Sequence, residues 1–396
     1  MDAPALGARA VSILERLVAF DTTSHLSNLA LIAWVEAYLA DHGVASQRVA
    51  SGDGAKANLL ASVGPAVTGG VALSGHTDVV PVEGQPWTSD PFTLTRRGER
   101  LFGRGTCDMK GFLALALAAV PDLVAAPLQR PAHLAFSYDE EVGCLGAPGL
   151  IEAMTRTLPR PAVVIVGEPT SMEVVSGHKG VIAFEVTVRG REAHSSQPHL
   201  GASAVMAAAR LMAVLVELAD GLERDADPAS PFEPRGATLT IGQVAGGTAA
   251  NILARECTFV FDLRTLPGQD PHAILKGFFA LAASLDAQIK ARAPGGGVSV
   301  NLRAEVPAFA GRPDEAAEAF ARAIAGDNGP ARAVSFAAEA GQFQAAGYST
   351  VLIGPGSIDQ AHQPDEYIDI VQMERGAAFM TRLAESLSGE RAPPAP

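Results

Sequence analysis

Four short apolar runs in this chain each stop at, or just before, a histidine or a carboxylate. VALSG leads to His76, LAFSY to the triplet Asp139, Glu140 and Glu141, VVIVG to Glu168, and TVLIG to the loop that holds His362. Runs of this length, bounded by Gly or Pro and alternating with longer helix-period stretches, read as buried parallel strands. In an open α/β sheet, ligands bind in the crevice beyond the carboxyl ends of the strands, so four such ends deliver their polar residues to one crevice. Asp108 joins them from the glycine-rich loop GRGTCDMKG, just ahead of a helical run that begins near Gly111.

A sheet covered on both faces needs a large core, and 396 residues at 48% hydrophobic supply one, with room for two domains. The net charge of −13 and the lack of clustered Lys and Arg exclude nucleic-acid binding as a function class. The opening MDAPALGARAVSILERLVAFDTTS mixes acidic and basic residues in a helix-period pattern without an apolar h-region, so no signal peptide is expected. The longest apolar stretch, residues 112–126, contains Pro121 and Asp122 and is too short to span a bilayer; no membrane partner is expected. Cys107, Cys144 and Cys257 are isolated and odd in number, with no disulfide or zinc-finger spacing, which fits a reducing compartment and predicts a cytoplasmic location.

Along the chain, helices are expected over residues 5–20 and 29–41, the second closed by Gly43, and strands near 57–63 and 71–75. After Asp108 the order is helix, strand into the Glu pair, and a helix over about 147–156. From His178 the texture changes. GVIAFEVTVR alternates strongly, and is followed by a helix over about 201–218, alternating runs at 237–244 and 257–264, a helix over about 271–287 and a run at 298–306. That is the strand-helix-strand-strand-helix-strand order of a small α+β, ferredoxin-like domain inserted in a larger one. The predicted fold is therefore α/β, with residues 1–176 and 308–396 forming a largely parallel-sheet, metal-binding catalytic domain and residues 177–307 the insertion.

Imidazole nitrogen and carboxylate oxygen are the donors a catalytic zinc takes, at about 2.0 to 2.2 Å, with one position left for water. Two such ions about 3.5 to 4 Å apart need a shared carboxylate and a shared water. Asp108 is the candidate bridge; His76 with Glu168 would complete one site, and Glu141 with His362 the other. Asp78, two residues beyond His76 and on the same side of an extended segment, is placed to accept the proton of the other imidazole nitrogen. Glu140 and Glu141 point in different directions if extended, so one can ligate metal while its neighbour reaches the water. Taken singly, each of these residues reads as a helix cap, a loop residue or a satisfied histidine. The argument rests on HTD, CDMKG, DEEVG, GEP and AHQPDE occurring in this order in one chain, four of them following an apolar run and CDMKG in its glycine-rich loop. His25, His42, His133, His199 and His272 lie outside that pattern.

With these motifs in view, the chain resembles the M20 metallopeptidase family over about residues 10–385. Within it, GHTDVVPVEGQPWTSDPF, GRGTCDMKGF, SGHKG, AHSSQPHLGASA, AAEAGQFQAAG and GPGSIDQAHQPDEYI resemble the acetylornithine deacetylase branch, alongside succinyl-diaminopimelate desuccinylase and carboxypeptidase-like relatives. Ala338 departs from that branch, where Thr is common before Glu339. The resemblance implies metal ligands at His76, Asp108, Glu141, Glu168 and His362, with Glu140 as general base. It also implies a cis peptide after Asp108, two divalent ions (zinc, with cobalt or manganese as alternatives), and an inserted domain that serves as lid and homodimer interface. His194, in the AHSS segment, takes the position of an oxyanion-stabilising histidine, often contributed by the partner subunit. Asn251 and Arg264 match substrate-associated positions, and a guanidinium can hold a carboxylate through two parallel hydrogen bonds.

The implied activity is metal-dependent hydrolysis of a small N-acyl amino acid, with N-acetylornithine giving ornithine and acetate. Three alternatives stay open: another M20 activity such as desuccinylation or dipeptide cleavage, a metal-independent Ser or Cys hydrolase, and a non-catalytic binding protein on the same fold. The second lacks a G-x-S-x-G elbow. The third has no use for Glu140.

Overall fold

A strand that is apolar along its whole length has no side to show water and must be covered on both faces. In the computed structural model, which describes residues 2–311 and 316–389, the four runs meet that condition. The chain divides into two compact units, one drawn from Met1–Gly177, Phe309–Arg332 and Ala338–Pro396, the other from His178–Ala308 and Ala333–Ala337.

The first unit opens with helices α1 (Ala3–Val18) and α2 (Leu29–Asp41), then strands β1 (Ser46–Ala50), β2 (Ala57–Val63) and β3 (Val71–His76). Two short strands, β4 (Thr95–Arg97) and β5 (Arg100–Phe102), precede an irregular turn over Thr106–Lys110 and helix α3 (Gly111–Ala125). Strand β6 (Ala132–Ser137), helix α4 (Ala147–Thr157) and strand β7 (Val163–Val166) follow, and a two-residue strand, β8 (Gly177–His178), marks the unit boundary. α2 ends as anticipated on Gly43: at φ +73° its amide donates to Ala40 and the next amide to Leu39, closing the last turn. Pro121 does not end α3, which runs four residues past it to Ala125.

Among the described residues the central sheet has six strands in the order β1-β2-β6-β3-β7-β14, where β14 is Thr350–Leu352. β6, β3, β7 and β14 are mutually parallel, while β1 and β2 join antiparallel at one edge. Alternate residues such as Leu73, Leu134 and Ile165 enter one core with α1, α2 and α3. On the other face α4 lies against β2 and β6. All residues of β3, β6, β7 and β14 are buried, so their carboxyl ends are the places where polar side chains emerge together.

The second unit contains β9 (Gly180–Arg189), α5 (Ala204–Arg224), β10 (Thr238–Gly246), β11 (Glu256–Thr265), α6 (Pro271–Ile274), α7 (Lys276–Arg292) and β12 (Gly297–Val306). Its sheet runs β10-β11-β9-β12 with every pairing antiparallel. One face alternates into a separate core where Phe184, Phe259, Phe261 and Phe278 pack against α5 and α7. The chain then returns through β13 (Phe309–Ala310), α8 (Ala316–Ala325), α9 (Ala340–Ala345), β14, β15 (Tyr367–Asp369) and α10 (Ile370–Ser388). Ala333–Ala337, which the sequence leaves in the larger domain, groups with the second unit through an isolated bridge from Val334 to His178.

Candidate metal centre

His76 is the last residue of β3, and its ring is 1% exposed. Nδ1 lies 2.9 Å from the main-chain oxygen of Asp78. A carbonyl only accepts, so Nδ1 carries a proton, and Nε2 is the ring nitrogen left to turn to a metal. The partner is thus the backbone of Asp78; its carboxylate, expected in that role, stands 3.6 Å off. That carboxylate instead accepts from Ser24 Oγ at 2.7 Å and from the amides of Glu140 and Glu141 at 3.1 and 3.3 Å, fixing the turn that carries both glutamates.

Asp108 leaves the loop between β5 and α3, and the peptide bond following it is cis, as the family resemblance implies. Its Oδ1 is 3.0 Å from His76 Nε2 and its Oδ2 3.2 Å from His362 Nε2. The same His362 nitrogen is 2.9 Å from Glu141 Oε2. Glu168 lies just beyond β7, 3% exposed. Among the described residues the donor atoms gather in two groups that share Asp108: His76, Asp108 and Glu168, and Asp108, Glu141 and His362, each within 4.8 Å. His362 is held at φ +61° and Asp139 at φ +57°, left-handed conformations that non-glycine residues adopt at a cost and that aim the two loops inward.

These residues fit a pair of cations. Ligands about 2.0 to 2.1 Å from a tetrahedral zinc stand about 3.3 Å apart, close to the nitrogen-to-oxygen spacings seen here. Glu141 Oε1 and Glu168 Oε1 are buried without a hydrogen-bond partner, and a buried acceptor left unpaired is costly unless something neutralises it. Burial pushes Glu140 and Glu168 well above the ordinary carboxylate range, against the opposing pull of His76, and the neighbouring acids add to it. Burial and the Asp108 charge raise Glu141 to about 7. Hydrogen bonds to Asp108 and Glu141 lift His362 to about 11, against burial. A cluster in which carboxyls resist ionising and a histidine resists neutrality is one short of positive charge.

Glu140 belongs to neither group. Its Oε1 accepts from the Cys144 thiol at 3.3 Å, across a turn closed by amides of Gly143 and Cys144 donating to the Glu140 carbonyl. Asp139, the first of the triplet, pairs with Lys56. In the second unit, exposed His194 bridges to Ile252, its Nδ1 2.7 Å from Ser196 Oγ, while the Ser195 amide donates to the Asn251 carbonyl at 2.9 Å. His194 and Asn251 thus stand on neighbouring segments. Arg264 sits at the far end of β11, its Nε 3.4 Å from Asp262 Oδ1. Sequence reasoning missed Arg104 and Glu366, a buried ion pair at 2.8 Å beside the Asp108 loop. Both lie inside the segments GRGTCD and AHQPDE, but charge pairing across the chain leaves no local spacing signal.

The profile of peptidase family M20/M25/M40 matches residues 72–386, which includes every ligand candidate. The chain belongs to this family. It is 37% identical over 390 residues to an acetylornithine deacetylase of Myxococcus xanthus, covering 96% of this chain and 97% of that one. Human carnosine dipeptidase 1 superposes with a TM-score of 0.76 at 18% identity, over 98% of each chain. The YxeP protein of Bacillus subtilis, described as a dinuclear metal-binding M20 peptidase, gives a TM-score of 0.64 at 15% identity over 96% of this chain and 98% of that one. This M20 protein is therefore a hydrolase acting on amide bonds. Among the described residues no helix is long and apolar enough to cross a membrane.

Proposed function

We propose that this M20 hydrolase removes the acetyl group from N-acetylornithine, releasing ornithine and acetate, with two divalent ions, zinc in the first place. The supporting observation is end-to-end similarity to an acetylornithine deacetylase at 37% identity, in a chain that holds both three-donor groups and an unligated glutamate beside them. His76, Asp108 and Glu168 would hold one ion, and Asp108, Glu141 and His362 the other. Bound there, the ions supply Lewis acidity and make a water acidic enough to lose its proton near neutral pH.

Glu140 takes that proton. Its carboxylate is aimed by the Asp78–amide contacts and by the Cys144 thiol, and burial raises its proton affinity above that of an ordinary carboxylate, which favours a base. The water oxygen then adds to the acyl carbon, and His194 donates a hydrogen bond to the oxygen that becomes negative, where preorganised donors contribute most. As the C–N bond breaks, Glu140 returns the proton to the leaving nitrogen, so acetate and a free amine depart. Asn251 and Arg264 hold the α-carboxylate side of the substrate. The second unit serves as lid and homodimer interface, and lid motion can limit turnover.

A substrate panel tests the reading: purified, metal-loaded protein is assayed on N-acetylornithine, N-succinyl-diaminopimelate and simple dipeptides. A kcat/KM for N-acetylornithine at least about tenfold above the others, which corresponds to about 1.4 kcal/mol, supports it. Preference for either other class moves the specificity within the family and discards this substrate.

A further inference from the structure

Glu366 closes the AHQPDE segment and takes no part in either donor group. Its place is set by a strand ladder: Tyr367 of β15 pairs with Phe102 of β5, and the Gly103 amide donates to the Glu366 carbonyl at 2.9 Å. That register lays the carboxylate, 1% exposed, over the loop that carries Asp108. Oε1 accepts the amides of Cys107 and Asp108 at 2.9 and 3.1 Å, and Oε2 accepts the Gly105 amide at 3.0 Å and Arg104 Nη1 at 2.8 Å. One side chain thus fixes three backbone amides, of Gly105, Cys107 and Asp108, in the loop that carries the bridging candidate.

The network extends to the opposite loop. Arg104, equally buried, rests 5.0 Å from the centre of the Trp87 ring and donates to Gln85 Oε1 and to the Gln363 carbonyl. Gln85 Nε2 in turn donates to the His362 carbonyl at 3.0 Å. The amide of Asp108 and the carbonyl of His362 therefore hang on one connected set of side chains, buried at Glu366 and Arg104 and half-exposed at Gln85. His76 and Glu168 do not; they leave the ends of β3 and β7.

We propose that Glu366 is a positioning residue for the second ion site, holding the Asp108 and His362 loops in the register that lets both reach one cation with Glu141. The inference rests on the two-ion reading of the centre. A purely structural ion pair would affect folding and both sites alike, whereas this arrangement singles out the site in which two of three donors depend on the network. Substituting hydrogen-bonded partners behind metal ligands typically weakens binding about 10- to 100-fold.

The test is titration of chelator-stripped protein with Co²⁺, followed by calorimetry and by the visible absorption of the bound ion. Wild type is expected to take two ions. Glu366→Gln, which keeps one acceptor but turns an NH₂ group towards the loop amides, is expected to bind the second ion, which draws two of its three donors from the network, about 10- to 100-fold more weakly, and to weaken the first, which draws only Asp108 from it, by clearly less, with a lower kcat and little change in KM. Because that variant leaves Arg104 buried without its partner, a second variant, Arg104→Met with Glu366→Gln, removes both charges so that folding is spared. It is expected to melt near the wild-type temperature and still to lose the second ion. Wild-type affinity for both ions in either folded variant overturns the proposal, as does equal weakening of both sites. Wild-type protein that takes up fewer than two ions instead overturns the two-ion reading beneath it.

Discussion

Glu140 and Glu141 are the same residue one peptide apart, and the turn after β6 gives them different surroundings: Glu141 faces His362, while Glu140 is left to the Cys144 thiol. Two variants separate the roles proposed for them and for His194. Glu140→Ala is expected to lower kcat by about 10²- to 10⁴-fold with metal content unchanged, measured by elemental analysis beside steady-state kinetics. His194→Ala is expected to lower it about 10²- to 10³-fold, also with metal retained. Metal loss in the first variant means that Glu140 and Glu141 have exchanged roles. At this scale the sequence is legible where chemistry sits at the end of an apolar run, as with His76 and Glu168. It is silent about Glu366, whose meaning depends on the β5–β15 ladder and on amides about 260 residues away in the chain. Asp78 was legible as a neighbour of His76, but only the folded turn shows that it spends its carboxylate on the glutamate amides.

Strands β7 and β14 approach so closely at their ends that only glycine fits between the Glu168 and His362 loops. A Cβ on Gly354 would lie 2.0 Å from the Gly167 oxygen and 2.5 Å from that of Glu168. Backbone cannot yield as a flexible side chain does, so Gly354→Ala is expected to cost about 1 to 3 kcal/mol in denaturant unfolding and to weaken metal binding through Glu168. On β6, burial pushes His133 down to about 4, the Pro159 carbonyl opposing only in part. Folded His133 therefore stays neutral at a pH where the unfolded side chain takes a proton. Its contribution is whole above about pH 6.5 and fades as the pH falls towards about 4, by up to about 3 kcal/mol. His133→Gln removes that part of the acid destabilisation, so wild type and variant should converge in urea midpoint between about pH 7 and pH 4.5; parallel curves contradict it. The parallel strands were readable because their apolar runs are short and bounded by Gly or Pro, unlike the longer apolar stretch of α3, and the inserted sheet because its alternation is so regular. The membership of Ala333–Ala337 in the second unit was not, since it rests on an isolated bridge at His178 and a Ser335 hydrogen bond to the Glu233 carbonyl, neither of which leaves a sequence pattern.

Across the whole molecule, an acidic chain collects buried carboxylates at the carboxyl ends of the central strands and leaves them without enough positive charge. Ions bound there would offset that imbalance and so stabilise the fold as well as serve the reaction. The family is legible because the motifs are dispersed but ordered along most of the chain; the acyl group is not, because the metal residues are indifferent to what lies beyond the scissile amide. The most direct test of the account is to strip the purified protein with a chelator and follow ornithine release from N-acetylornithine while Zn²⁺ or Co²⁺ is restored in steps. The account predicts no turnover in the stripped protein and recovery as the ions bind, with a rise in melting temperature over the same range. Ornithine release that persists unchanged in protein shown to be metal-free contradicts it.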